Sequence, residues 1–225
     1  MGRLVTFGCS YTHGQGLEKF DKTNGFPQEK TWGSVLSKKL KLPFHNLALP
    51  GSSNRKIWHT ILKADLDSKD TVVILWTHLE RTCMFTLNYG PLQVELDDGT
   101  WHKKLTTTDI GPWTNSPVSK AYIQHFSGLY NQLVDLNLYM SYISNYLDNK
   151  GIKNYHALAI KNKQDENFIK TDYNNARVLL TNFQSFWCDK GYDQKHPGKR
   201  SHKKFAQEIY KEIKEMEAIN EDQRH

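Results

Sequence analysis

Ser10 is the first residue whose type and place could do chemistry, in the stretch Arg3-Leu-Val-Thr-Phe-Gly-Cys-Ser-Tyr-Thr-His-Gly-Gln-Gly-Leu17. Leu4, Val5 and Phe7 form a short apolar run that ends in a glycine, a thiol and a hydroxyl, the pattern of a strand running out into a turn. A serine at the carboxyl end of a buried strand lies beside N–H groups that no ladder uses, which is where an α/β sheet presents a nucleophile. A serine there can equally cap the next segment. Near the other end, Asp193 precedes His196 by three residues, with Pro197-Gly198 next and an amphipathic run from Lys203 to about Glu217. Such a loop can present an imidazole held by its own neighbouring carboxylate, so that the pair supplies base and orienter.

A third stretch, Asn46-Leu-Ala-Leu-Pro-Gly51-Ser-Ser-Asn54, places a glycine just before the start of a helix. An N–H there is unpaired by secondary structure and can serve an anion, although the same glycine also makes the turn. With these three blocks in this order, the chain resembles an SGNH hydrolase of the GDSL esterase and lipase superfamily. The resemblance implies Ser10 as nucleophile, Asp193 as orienting acid, His196 as base, and the N–H groups of Ser10 and Gly51 as oxyanion donors. It implies hydrolysis of a small-molecule or polysaccharide ester, with a short acyl or acetyl group on carbohydrate as the expected substrate, and needs no cofactor or metal. Compact members with few cysteines and no signal peptide resemble those encoded by tailed bacteriophages, some of them virion parts. A phage origin is therefore expected, with a homo-oligomer or a virion assembly partner.

Two positions depart from the family pattern. Cys9 stands where the family has Asp, and could itself be argued to be the nucleophile paired with His196. After Asp70-Thr-Val-Val-Ile-Leu-Trp-Thr77, the sequence His78-Leu-Glu-Arg81 stands where the family's Gly-x-Asn-Asp block supplies an Asn side chain to the oxyanion. His78, Asn54 or Arg81 could substitute, and surface or interface pairing is the alternative for His78 and Arg81. The competing reading is a catalytically weakened SGNH-fold binding or structural module.

The elements that must position these residues follow the same order. Trp32, Val35, Leu36 and Leu40 are at helical spacing, Pro43 to Ala48 reads as a short second strand, and Ser53 to about Asp65 as a helix capped by Ser52 or Ser53. Asp70 to Thr77 is an unalternated apolar run, as expected of a parallel strand covered on both faces. From Met84 to about Pro117 short alternating pieces predict a β insertion, with a hairpin at Asp97-Asp98-Gly99 and with Tyr89, Trp101 and Trp113. Val118 to Asn149 predicts a long helix that Gly128 could bend, followed by a fourth core strand over Ile152 to Ile160. Ala176 to Trp187 reads as helical, and the tail beyond about Ala218 as frayed. The expected fold is a three-layer α/β/α sandwich, flavodoxin-like, with a mostly parallel sheet of four or five strands. One domain spans 1–225, with an insertion at about 82–117.

With 225 residues, 38% of them hydrophobic, the chain can bury a core, and six Trp and eleven Tyr argue against disorder. Thirty basic and 24 acidic side chains leave +6. The basic residues fall on helix faces and in the Lys195–Arg200 loop without interleaved stacking aromatics, so nucleic acid is not expected as a partner. Three cysteines without a pairing pattern imply a reducing compartment. No run approaches a membrane span and no signal peptide is read, so a protein cytoplasmic when made is expected, with no membrane partner and possible association with a virion. Asp193, His196 and His202 have spacings that could reach one ion, but no second element supplies ligands, so no metal is expected.

Overall fold

The computed structural model describes residues 2–18, 29–87, 94–95, 101–102, 105–111, 116–160 and 177–222. Its centre is a parallel sheet of five strands: β1 (Leu4–Phe7), β2 (Phe44–Asn46), β3 (Thr71–Trp76), β8 (Lys153–Leu158) and β9 (Val178–Asn182), in the order β2-β1-β3-β8-β9. Along β3, Val73 and Leu75 enter one apolar layer while Val72, Ile74 and Trp76 enter the other, and all five are fully buried. That double coverage is why the strand reads as an unbroken apolar run.

Helices α2 (Trp32–Leu40) and α6 (Lys199–Asp222) cover the first face through Trp32, Leu36, Phe205, Ile209 and Ile213. Helices α3 (Asn54–Lys63) and α5 (Leu129–Asn149) cover the second through Ile57, Ile61, Leu136, Met140, Ile143 and Leu147. The chain leaves β1 for β2 on one side and then returns to β3 on the other. The strand order therefore reverses beside β1, and such a reversal opens a crevice at the carboxyl ends of the strands. A four-residue helix, α1 (Ser10–His13), begins at that point.

Local chemistry sets the helix ends. Thr31 and Ser53 accept the N–H groups of Ser34 and Lys56 and so cap α2 and α3. The stretch expected as one long helix is two, α4 (Pro117–His125) and α5, because Gly128 is extended and forms the N-cap of α5. Between β3 and α4 lie two antiparallel pairs, β4 (Thr82–Leu87) with β7 (Leu105–Ile110), and β5 (Val94–Glu95) with β6 (Trp101–His102). The expected Asp97–Gly99 turn, Tyr89, Trp113 and the side chain of Trp101 lie outside the described residues.

Further expectations are corrected. Val178 to Asn182 is not helix but the fifth strand, with Leu179 and Thr181 buried and Leu180 exposed in strand alternation, followed by a single 3-10 turn over Phe183–Phe186. The apolar residues there satisfy both periods over so short a run, and pairing with β8 decides between them. Helix α6 starts four residues earlier than its amphipathic pattern, because the Asp189 carboxylate accepts the N–H groups of Arg200 and Ser201. It also continues to Asp222 rather than fraying at Ala218.

At the opposite end of the sheet, Asp70 ties the starts of β1 and β3 together. Its carboxylate accepts from the Arg3 N–H at 2.9 Å, from Arg3 Nη2 at 2.6 Å and from the Asp67 N–H at 3.1 Å. Burial alone would raise its pKa, but the Arg3 guanidinium and the two N–H groups hold it below the usual carboxylate value. Asp70→Asn is expected to cost about 1.5–3 kcal/mol at pH 7 in urea unfolding. A carboxyl with a lowered folded pKa stabilises above its unfolded pKa, so the gap between the two proteins should close as pH falls through the folded value.

Candidate active site

Three loops meet at the carboxyl rim of β1 and β3. Cys9, extended, is the N-cap of α1, and Ser10 is its first residue, 5% exposed. The first N–H groups of a helix have no intrahelical partner, and that of Ser10 is one of them. The Cys9 side chain points down into the core with Leu4 and Trp32 and is fully buried, so it packs as a small apolar group.

The segment from Asp189 to Gly198 folds back on itself and onto the loop after α1. Gly191 donates to the His196 carbonyl at 2.7 Å, and Tyr192 donates to the Gly16 carbonyl at 2.6 Å. Asp193 Oδ1 accepts the N–H groups of Lys195 and His196, each at 3.0 Å, and Oδ2 lies 2.5 Å from His196 Nδ1. A carboxylate so held must accept the proton of Nδ1, which leaves Nε2 as the basic nitrogen. Burial tends to raise the Asp193 pKa, but the Lys195 N–H and the His196 ring and N–H outweigh it and leave the carboxyl below its ordinary value.

Gly16 sets the spacing between these loops. Its φ is +82°, and a Cβ there would stand 2.5 Å from Asp193 Oδ1. Gly16→Ala must displace the carboxylate, and misplacement by about 1 Å can cost roughly a hundredfold in rate. We expect a loss of that order in kcat on a small ester, measured beside an unchanged far-ultraviolet circular dichroism spectrum.

Tyr11 joins the parts. Its ring centroid is 6.0 Å from that of His196, 6.0 Å from His78, 5.8 Å from Trp187 and 5.5 Å from Phe183. The two ends of the chain and the end of β3 therefore surround the residue next to Ser10. Among the described residues no hydrogen bond joins the Ser10 hydroxyl to the His196 ring, and such bonds are often long without substrate. Nothing in the sequence marked Tyr11 or Trp187, since an aromatic beside a turn has no distinctive pattern.

The remaining candidates separate. Gly51 sits in the turn before α3 with φ +73° and is half-buried. Asn54 spends its amide on the backbone of Thr77, accepting from its N–H at 2.7 Å and donating to its carbonyl at 3.2 Å, and so clamps α3 to the end of β3. Arg81 lines a cleft beyond the rim, and its charge reaches the Tyr11 hydroxyl and the His78 ring. His78 presents a buried Nε2 with no hydrogen-bond partner among the described residues, and burial together with the Arg81 charge lowers its pKa to about 4. His202 is buried in the core, where Nδ1 accepts the Trp32 N–H at 3.0 Å, so it caps α2 and is turned away from any ligand role. Among the described residues no group of three His, Cys, Asp or Glu side chains could hold a metal ion, and no helix is long and apolar enough to cross a membrane.

By sequence, no protein-family model and no curated protein matches the chain. By structure, it is similar to a psychrotrophic esterase from Pseudoalteromonas at 10% identity, with a TM-score of 0.51 over 96% of this chain and 98% of that one. An acetyl xylan esterase from the rumen bacterium Butyrivibrio proteoclasticus matches at 11% identity and TM-score 0.54, over 96% of this chain and 64% of that one. A family two carbohydrate esterase with a carbohydrate-binding domain from Corynascus matches at 13% identity and TM-score 0.56, over 94% and 65%. The architecture is the SGNH hydrolase fold.

Proposed function

We propose that the protein is a serine esterase that removes a short acyl group, acetyl above all, from carbohydrate. The observation that carries this reading is the Asp193–His196 pair, clamped by backbone N–H groups and packed through Tyr11 against the turn that bears Ser10. Ser10 Oγ attacks the acyl carbon as His196 Nε2 takes its proton, and that proton then passes to the leaving alcohol. Water, activated by the same nitrogen, releases the acid. Asp193 holds the ring in one tautomer and offsets the charge that develops on it. The carbohydrate assignment is supported by the likeness to carbohydrate esterases in fold.

In this reading the N–H groups of Ser10 and Gly51 and the Nε2–H of His78 bind the oxyanion. A ring whose pKa is near 4 is neutral at working pH and keeps one N–H to donate, and Nε2 is buried with no hydrogen-bond partner among the described residues. Removing one such donor costs about a hundredfold or more. His78→Ala should therefore lower kcat by that order with little change in KM, and His78→Asn should restore part of it. Equal kinetics in wild type and His78→Ala would remove His78 from the site.

The direct test is reaction with a fluorophosphonate probe followed by peptide mass spectrometry. One adduct is expected, on Ser10, and none in Ser10→Ala. A folded wild-type protein that takes no label would overturn the reading. It would favour a binding module on the same fold, to which the departure at His78–Arg81 from the Gly-x-Asn-Asp pattern already points.

A further inference from the structure

Beyond the acyl site, polar and aromatic side chains continue outward across the molecule. Past Leu79 the rim opens into a cleft between α3, α4 and α5, lined by Arg55, Arg81, Gln132, Asp135, Tyr122 and Tyr139. Arg81 links the two regions, since it lines this cleft while its charge acts on Tyr11 and His78. From Tyr139 the rings follow one another: Tyr139 to Trp58 at 5.6 Å, Trp58 to Tyr142 at 6.1 Å, and Tyr142 to Tyr146 at 6.5 Å with planes only 9° apart. The Lys150 ammonium closes the row 4.7 Å from the centre of the Tyr146 ring.

Residues 139, 142 and 146 share one helix face, and Tyr142 is 54% exposed. Leu136, Met140, Ile143 and Leu147 fill the inward face of α5, Trp58, Tyr139 and Tyr146 pack half-buried against that layer, and Tyr142 is exposed beside them. A row of rings, one exposed and three half-buried, that runs out of a cleft can line a binding groove. Its chemistry selects the occupant. A sugar ring has flat C–H faces and a rim of hydroxyls, which suit aromatic faces beside the planar forks of Arg55, Gln132 and Asp135.

We propose that the mouth of this cleft and the row bind the backbone of a polysaccharide, with the acylated sugar at the rim before the cleft and its neighbours along Trp58, Tyr142 and Tyr146. The placing of the acylated sugar rests on the esterase reading of Ser10, whereas binding itself does not.

The test uses the Ser10→Ala protein, which reads binding without turnover, in native gels containing glucuronoxylan, hydroxyethylcellulose, alginate or soluble bacterial O-polysaccharide. Retention is expected in at least one polymer, weakened tenfold or more by adding Tyr142→Ala and kept by Tyr142→Trp. Trp58→Ala, at a half-buried position, should weaken it as well, with circular dichroism as the control for folding. Migration unaffected by all four polymers would overturn the proposal, as would retention indifferent to Tyr142→Ala. A dimer that light scattering shows to depend on Tyr142 would overturn it too, since a second copy would then cover the row. Retention by a wild type that takes no fluorophosphonate label would instead sink the esterase reading and leave this one standing.

Discussion

Ser10→Ala is expected to lower kcat/KM on p-nitrophenyl acetate by at least about a thousandfold, leaving only what the oxyanion donors and binding supply. In the proposed reaction the hydroxyl oxygen forms the acyl bond, and the adjacent Cys9 thiol, turned into the core, is not placed to replace it. The variant should fold normally, since the turn of α1 is held by N–H groups donated to the Cys9 and Ser10 carbonyls and its N-cap, Cys9, makes no side-chain cap bond. Steady-state hydrolysis across short acyl esters and acetylated sugars is the measurement. Wild type and Ser10→Ala equally inactive on all of them would end the enzyme reading and leave a binding module on a hydrolase fold.

Asp193→Asn is expected to fall by roughly four orders of magnitude in kcat, the size of effect seen when an amide replaces a triad carboxylate. An Asn side chain can still accept the Lys195 and His196 N–H groups through its oxygen, so the loop should keep its shape. What it loses is the anion 2.5 Å from Nδ1, and its NH2 group can turn toward the ring and force the wrong tautomer. Because the folded carboxyl ionises below the usual range, the wild-type pair should stay intact down to pH values where most carboxylates protonate. A pH–rate profile that followed an acid of ordinary or raised pKa at Asp193 would contradict that. Fluorophosphonate labelling of Asp193→Asn should be slow and still confined to Ser10, which separates a lost base from a lost nucleophile.

Several parts of this protein were legible in the chain alone. The run Val72-Val-Ile-Leu-Trp76 announced a strand covered on both faces, because burial on two sides removes the need for polar residues. Asp193 and His196 announced each other, since a carboxylate and an imidazole three residues apart in one loop can meet without help from the rest of the fold. The capping residues Thr31 and Ser53 and the break at Gly128 are equally local.

Tertiary structure decided what depends on distant partners. Val178 to Asn182 became a strand only because β8 offered an edge to pair with, and α6 gained a turn only because Asp189 came within reach of its first N–H groups. The same is true of the three residues weighed as a substitute oxyanion donor. Asn54 was drawn onto the Thr77 backbone and Arg81 into the neighbouring cleft, while His78 kept a buried nitrogen without a partner among the described residues. The chain specified which groups can react, since that is a property of each residue type and its near neighbours. Folding specified which of them share one small volume, because contacts across nearly two hundred residues leave no periodicity to read.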